Sequence, residues 1–229
     1  MRVVLAIVMT FLVLAVSSSI GLSVIGPQNV ATAPPWQMPS IIHVSILILS
    51  FLLILILSKG RISSYGLKFA SNFPFIRLVL ICTGIGIIAA AIESLIGTGG
   101  PSPTEGFTLV QKIIFIWLIA SICEETLFRG LIQGFLSQYT GRGIRVLKTT
   151  LSLPVLVAAI LFALIHFGLL GSGMNFMAVV NIVIFAFILG IMAGLYREST
   201  GSIIPAIIIH MLFNIGGTLM EYVISAFAG

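Results

Sequence analysis

The chain has 229 residues, of which 59% are hydrophobic and 7% are charged, and its formal net charge at pH 7 is +5. A soluble domain has about 25% charged residues, so this chain cannot cover a water-facing surface with polar groups. The composition excludes a soluble globular protein and predicts an integral membrane protein. The basic residues lie beside apolar runs, which favours membrane orientation over nucleic-acid binding as the reason for the positive charge.

Apolar runs long enough to cross a bilayer as helices recur along the whole chain, since a transmembrane helix needs about 20 residues. We predict an all-α, multi-pass bundle that forms a single membrane domain, with seven spans near 3–25, 41–57, 76–96, 109–137, 152–170, 176–196 and 203–226. The fourth run is long enough to tilt, or to break near Gly130 or Gly134. The first run has an alternative as a cleaved signal peptide, but its apolar character continues to Ile25, which favours a retained span.

The basic residues alternate between successive loops and predict the orientation in the cell membrane. The loops 26–40, 97–107 and 171–175 contain no lysine or arginine. The basic residues in or beside the other three loops are Lys59, Arg61, Lys68, Arg77, Arg142, Arg145, Lys148 and Arg197. Because basic loops stay in the cytoplasm, the N-terminus is predicted to be cytoplasmic and the C-terminus to be outside.

Span four carries three ionisable residues in its middle, where a charge costs about 2.5–3.5 kcal/mol on insertion scales. They are Glu124, Glu125 and Arg129. Glu125 and Arg129 are four residues apart, so they share a helix face and can pair, whereas Glu124 is turned roughly 100° from Glu125. One carboxylate is therefore expected to be held by the arginine while its neighbour stays available.

Spans five and seven each carry a further pair at the same spacing. Phe162 and His166 share a face of span five, and His210 and Asn214 share a face of span seven. A carboxylate beside a histidine suggests general-base chemistry. A second histidine and an asparagine amide are donors suited to a developing oxyanion. Each residue alone has a structural alternative, such as a hydrogen bond to the backbone, but their joint occurrence on three spans favours a functional site.

Four other polar residues are interpreted as structural. His43 starts span two at the outer interface, and Glu93 and Glu221 lie close enough to outer helix ends for their carboxylates to reach water. Asn181 can bond to a neighbouring helix.

The polar residues of spans four, five and seven match the motifs of a known family in order. With x for any residue, the chain reads Glu124-Glu125-x-x-x-Arg129, then Phe162-x-x-x-His166, then His210-x-x-x-Asn214. This ordered set resembles the CPBP intramembrane protease family, which includes the type II CAAX prenyl endopeptidases and the bacteriocin-processing or immunity proteins formerly called Abi. The resemblance implies a catalytic core over 109–226, and the first three spans carry no motif.

The resemblance implies a membrane endopeptidase in which Glu124 and His166 activate a water molecule for attack on a peptide carbonyl. It implies that His210 and Asn214 stabilise the oxyanion. The residues that it implies as organisers of the site are Glu125, Arg129 and Phe162. The expected partners are the lipid bilayer and a peptide or protein substrate, with or without a prenyl group, and no nucleic acid.

The expected mechanism needs no cofactor, and zinc is the alternative. One carboxylate and two histidines could form a His₂Glu set, in which Glu124, His166 and His210 would be ligands instead of base and oxyanion donors. Other intramembrane protease chemistries fit poorly, because the chain has no aspartate and no HExxH motif, and Ser172 lies in an outer loop without a paired histidine.

Two other functions stay open. Intramembrane glutamate and histidine also form proton relays, so a proton-coupled transporter or channel is the main alternative. A non-catalytic immunity or scaffold protein of the same fold is the other. The side of the membrane that the site faces is a further open point. By helix rise, Glu124 and His210 lie roughly 10 Å inside the cytoplasmic face, which favours a site that faces the cytoplasm. His166 lies nearer the outside. This mismatch disappears if span five starts at Pro154 and runs past Leu170.

Overall fold

The structure, a computed structural model, describes residues 1–70, 72–96, 104–146 and 149–228. Within these ranges the chain forms seven helices, as predicted. In chain order they are α1 Arg2–Ile25, α2 Gln37–Ser58, α3 Phe75–Leu95, α4 109–135, α5 Leu153–Ile165, α6 Phe176–Thr200 and α7 Ile204–Ala228. Lys148 and residues 97–103 of the predicted outer loop lie outside the described residues.

Six helices in the described ranges, all except α4, are long and apolar enough to cross a membrane when α5 is counted together with the residues that follow it up to Ser172. The chain is therefore a multi-pass membrane protein. On the first three helices, large apolar side chains such as Phe11, Ile56 and Leu80 are more than half exposed. Lipid satisfies such side chains where water would not, so these helices form part of the outer surface of the bundle.

The helix α4 alternates between two hydrogen-bond patterns and does not break at Gly130 or Gly134. Its successive segments are α over Leu109–Gln111, π over Lys112–Ala120, α over Ser121–Glu125, π over Thr126–Ile132 and α over Gln133–Phe135. A capping box starts it: Gln111 N–H donates to Thr108 Oγ1, and Thr108 N–H donates to the Gln111 side chain. The wider π turns, which are frequent at functional sites, leave Glu124 and Glu125 on the short α segment between them.

The inner half of α4 lies at the centre of the bundle. The π segment Thr126–Ile132 is completely covered, and α1, α2, α5 and α6 pack against it. The first half of α4, before this segment, packs on α7. The covered apolar side chains of the inner half include Leu127, Phe128, Leu131 and Ile132. The remaining helices pack in pairs, with α1 on α2, α3 on α7 and α5 on α6. The motif-bearing helices α4, α5 and α7 thus meet inside one bundle.

A short hairpin precedes α5, where the sequence predicted only a loop. The strands β1 Gly143–Val146 and β2 Thr149–Ser152 pair antiparallel, with Gly143 opposite Ser152. Ser152 then caps α5 by accepting a hydrogen bond from Val155 N–H. Beyond Ile165 the chain continues as the 3₁₀ segment His166–Ser172, so that Leu153–Ser172 forms one span. The span therefore starts one residue before Pro154 and runs past Leu170.

Glycine allows the backbones of α3 and α7 to touch. A Cβ added at Gly86 would lie 2.1 Å from Phe213 O, and one added at Gly216 would lie 2.2 Å from Thr83 O. Apolar burial drives helix association only weakly inside lipid, so close backbone approach at small residues is an important source of stability. This contact fixes α7, which carries His210 and Asn214, against its neighbour.

Candidate active site

The two adjacent glutamates of α4 have different surroundings. Glu125 is completely buried, and its Oε1 accepts a hydrogen bond of 2.8 Å from Nη1 of Arg129, which is also completely buried. The predicted pair at i, i+4 is therefore present. Glu124 is 15% exposed and points to other partners. The charge of Glu125 is balanced within its own helix, and that of Glu124 is not.

Phe162 of α5 lies at the centre of the motif residues. Its ring is 4.7 Å from the guanidinium carbon of Arg129, which is within the range of a cation–π contact. The same ring meets His166 and His210 edge-on, with ring centroids 5.1 and 5.5 Å away. A buried aromatic ring in this position holds the two histidines and the arginine at fixed distances from one another.

His210 of α7 lies between the two glutamates. Its Nδ1 is 3.0 Å from Glu125 Oε1, and its Nε2 is 3.9 Å from Glu124 Oε2. Because Glu125 is paired with Arg129, its carboxylate acts as an acceptor and Nδ1 of His210 carries a hydrogen. In neutral His210 the Nε2 atom, which faces Glu124, therefore has a free electron pair.

His166 begins the 3₁₀ segment at the end of α5. Its Nδ1 is 2.8 Å from Phe162 O, and a carbonyl oxygen can only accept, so Nδ1 carries the hydrogen and Nε2 of the neutral ring is an acceptor. His166 interacts electrostatically with both Glu124 and His210. The structure thus brings these residues of three helices together, as the spacing of the motifs predicts.

Asn214 links α7 to the first π segment of α4. Its Nδ2 donates to Ile116 O at 3.1 Å and to Ser121 Oγ at 3.4 Å. Both amide hydrogens therefore have acceptors in this structure, and the longer contact to Ser121 is the weaker one. The residue is held one helical turn beyond His210, and both side chains line one cavity.

Residues 106–216 match the family described as type II CAAX prenyl endopeptidase Rce1-like. This segment makes the chain similar to the Rce1-like family, and the match agrees with the resemblance to the CPBP family. No solved structure matches the chain. The match supports, at family level, a CAAX-type intramembrane endopeptidase whose substrate is a peptide or protein in a membrane setting. The matched segment contains each of the predicted site residues: Glu124, Glu125, Arg129, Phe162, His166, His210 and Asn214.

One histidine outside the Rce1-like segment also contacts the site, although the sequence pattern placed it at the outer interface and favoured a structural role for it. His43 of α2 places Nε2 3.0 Å from Glu124 Oε1. The predicted span began at residue 41, which put His43 at its end, but α2 begins at Gln37, and Trp36 before it stacks on Phe115 of α4. A histidine within an apolar helix was a signal for this contact, but its partner is 81 positions away.

Asn181 and Glu221, which are also interpreted as structural, have ordinary partners. Asn181 donates to Ala89 O at 3.1 Å, which confirms the predicted link between helices. Glu221 is 43% exposed and pairs with Lys112 of α4. Glu93 lies near Glu221 at the same end of the bundle, since both line the same two cavities.

A cavity of about 190 Å³ adjoins the polar cluster. Phe162, His166, His210 and Asn214 all line it. Glu93 and Glu221 line it as well, and they also line a second cavity of about 440 Å³. The cavity beside the motif residues therefore extends toward the C-terminal ends of α3 and α7. The charge pattern predicts that these ends lie outside, whereas the sequence favoured a site that faces the cytoplasm.

The His₂Glu set of the zinc alternative is not preformed in this arrangement. Within the described residues, no group of three or more His, Cys, Asp or Glu side chains is arranged to hold a metal ion. His210 directs Nδ1 to Glu125, its Nε2 stays 3.9 Å from Glu124, and His43 occupies the other oxygen of Glu124. A zinc ion would instead need its ligand atoms converging at about 2.0–2.2 Å from one point.

Proposed function

We propose that this chain cleaves a peptide bond of a membrane-associated peptide or protein, by means of a water molecule activated by Glu124 and His166 and without a metal ion. The observation that carries the proposal is the division of labour between the adjacent glutamates. Glu125 is neutralised by Arg129, whereas Glu124 lies among histidines, and two of these, His166 and His210, line a cavity. Two carboxylates with such different surroundings are suited to different roles.

The roles follow from which atoms have free electron pairs. Glu124 Oε2 and Nε2 of neutral His166 accept protons, so either can take one from a water molecule as its oxygen bonds to the carbonyl carbon. The former carbonyl oxygen then carries a negative charge. When the C–N bond breaks, the proton passes to the departing amine nitrogen. The products are a carboxylic acid and an amine, and the protein returns to its starting state.

The developing oxyanion needs a hydrogen donor, and two groups of α7 are suited to this role. Asn214 Nδ2 can exchange its long contact with Ser121 Oγ for the oxyanion while it keeps its bond to Ile116 O. His210 donates from Nε2 once that atom has taken up a proton. Removal of one such donor in other enzymes lowers the rate about 10²–10³-fold.

The test compares purified wild-type protein with Glu124→Gln in detergent, on a library of fluorogenic peptides with and without an isoprenyl group on a C-terminal cysteine. Glu124→Gln keeps the shape of the side chain and removes the base. We expect at least a 10²-fold loss of cleavage, since a positioned general base contributes about 10²–10⁴-fold. Glu93→Gln is the matched control, because Glu93 lines the cavity together with Glu221, near the ends of α3 and α7. Cleavage by Glu124→Gln at the wild-type rate would overturn the mechanism.

A second candidate, a proton-coupled transporter or channel, is supported by one observation. Glu93 and Glu221 line both cavities, so titratable groups extend from His166 and His210 toward one end of the bundle. Intramembrane glutamates and histidines in such a row can pass protons. Proton flux into liposomes that contain the protein, lost in Glu93→Gln, together with no cleavage of any peptide, would favour this function over the peptidase.

A further inference from the structure

His43 contacts the proposed base from outside the segment that matches the family. It lies on α2, whereas the Rce1-like match begins at residue 106. Its Nε2 is 3.0 Å from Glu124 Oε1, and the two side chains are only 17% and 15% exposed. On the other side of the ring, Nδ1 is 2.8 Å from Pro39 O, one helical turn earlier. The imidazole is thus held between a carbonyl oxygen and a carboxylate.

The hydrogens of this arrangement can be assigned from the nature of the acceptors. Pro39 O can only accept, so Nδ1 of His43 carries a hydrogen. A neutral ring would then present a free electron pair to Glu124, and an ionised carboxylate has no hydrogen to donate. The hydrogen bond of 3.0 Å therefore requires one proton shared between Nε2 of His43 and Oε1 of Glu124.

The contact distinguishes the two oxygens of Glu124. Oε1 is engaged by His43 at 3.0 Å, whereas Oε2 is 3.9 Å from Nε2 of His210, which is beyond hydrogen-bonding distance. Oε2 thus keeps its free electron pairs on the side of His210, which lines the cavity together with His166. A carboxylate held by one oxygen has its plane fixed, and the other oxygen has a defined direction.

We propose that His43 is a positioning residue, which holds Glu124 through Oε1 so that Oε2 is the atom that meets the attacking water. The proposal rests on the proposed peptidase function. It also explains why a polar contact exists at this place on α2. That helix is already anchored to α4 by apolar packing, since the completely buried Ile54 lies against Gly130, so attachment of the helix does not require a partly buried histidine.

Two substitutions separate positioning from packing. In His43→Gln the side-chain amide nitrogen takes the place of Nε2 and can donate to Glu124. In His43→Asn the amide takes the place of Nδ1 and can reach Pro39 O but not Glu124. The two variants are similar in polarity and differ in which contact they keep.

We expect His43→Asn to lower kcat about 10²-fold, the loss typical of a catalytic group displaced by about 1 Å, with KM within about threefold of wild type. His43→Gln is expected to restore kcat to within about tenfold of wild type. Equal kcat values for the two variants, or a change confined to KM, would overturn the positioning role.

A second measurement reports on the contact without any need for activity. The protein is labelled with ¹⁵N-histidine, and the resonances of His43 are assigned as those that are present in the wild-type spectrum and absent from the spectrum of His43→Gln. Glu124→Gln should shift the Nε2 resonance of His43 and leave Nδ1 with its hydrogen. An unshifted Nε2 overturns the proposal. If wild-type protein cleaves no peptide, the proposed function fails and the catalytic role of His43 fails with it, while the spectra still decide whether His43 holds Glu124.

Discussion

The ion pair between Glu125 and Arg129 offers a quantitative test of how the site is built. Both side chains are completely buried, and the carboxylate also accepts from His210. Arg129→Met keeps an unbranched side chain of similar length and leaves a buried carboxylate without its counter-charge. Removing one partner of a buried pair costs about 3–5 kcal/mol. We expect a loss of this size in the free energy of unfolding, part of it from the contact of Arg129 with the Phe162 ring.

The assay measures unfolding in mixed micelles of detergent and SDS, and circular dichroism monitors the loss of helix. The double variant Glu125→Gln with Arg129→Met removes both charges, and we expect it to recover most of the lost stability. Lys112→Met is the matched control, because its partner Glu221 is 43% exposed and keeps contact with water when the pair is removed, so we expect a smaller loss than for the completely buried pair. The reasoning is refuted if Arg129→Met is no less stable than Lys112→Met, or if the double variant is less stable than Arg129→Met.

Two further predictions concern helix packing and metal dependence. Gly216→Ala should lower the free energy of unfolding by about 1–3 kcal/mol, because the new Cβ would lie 2.2 Å from Thr83 O. Gly217→Ala has open space around its Cβ and should leave the free energy of unfolding unchanged or slightly higher. Unfolding curves of the two variants measure this difference, and equal losses would contradict the prediction. Incubation with a strong chelator should leave peptide cleavage within about twofold of the untreated rate, since no group of three or more described His, Cys, Asp or Glu side chains is arranged to hold a metal ion. If cleavage is lost and added zinc restores it, Glu124, His166 and His210 would instead be assigned as metal ligands.

The two carboxylates show why adjacent identical residues need not share a role. On a helix, neighbouring side chains point about 100° apart, so Glu124 and Glu125 face different helices. Glu125 meets Arg129 on its own helix, and Glu124 meets His43 from α2. The histidine of α7, His210, is close to both. The proposed division between a base and an organising residue is therefore a consequence of helix geometry combined with the choice of neighbouring helices.

The sequence by itself determined the features that depend on residues close to one another along the chain. Long apolar runs require helices in lipid, because the backbone must satisfy its own hydrogen bonds there, and this predicted seven helices. The spacing of four residues placed Arg129 beside Glu125 for the same local reason. The three motifs also indicated the family, which the match over residues 106–216 supports independently.

Only the tertiary structure decided which helices face one another. His43 and Glu124 are 81 positions apart, and nothing in the pattern of either helix says that α2 packs on the side of α4 where Glu124 lies. The π segments of α4 were likewise not predicted, because their wider turns leave the apolar composition unchanged. Packing between helices depends on the shapes of whole surfaces, such as the close approach at Gly86 and Gly216, and these surfaces exist only when the bundle is assembled.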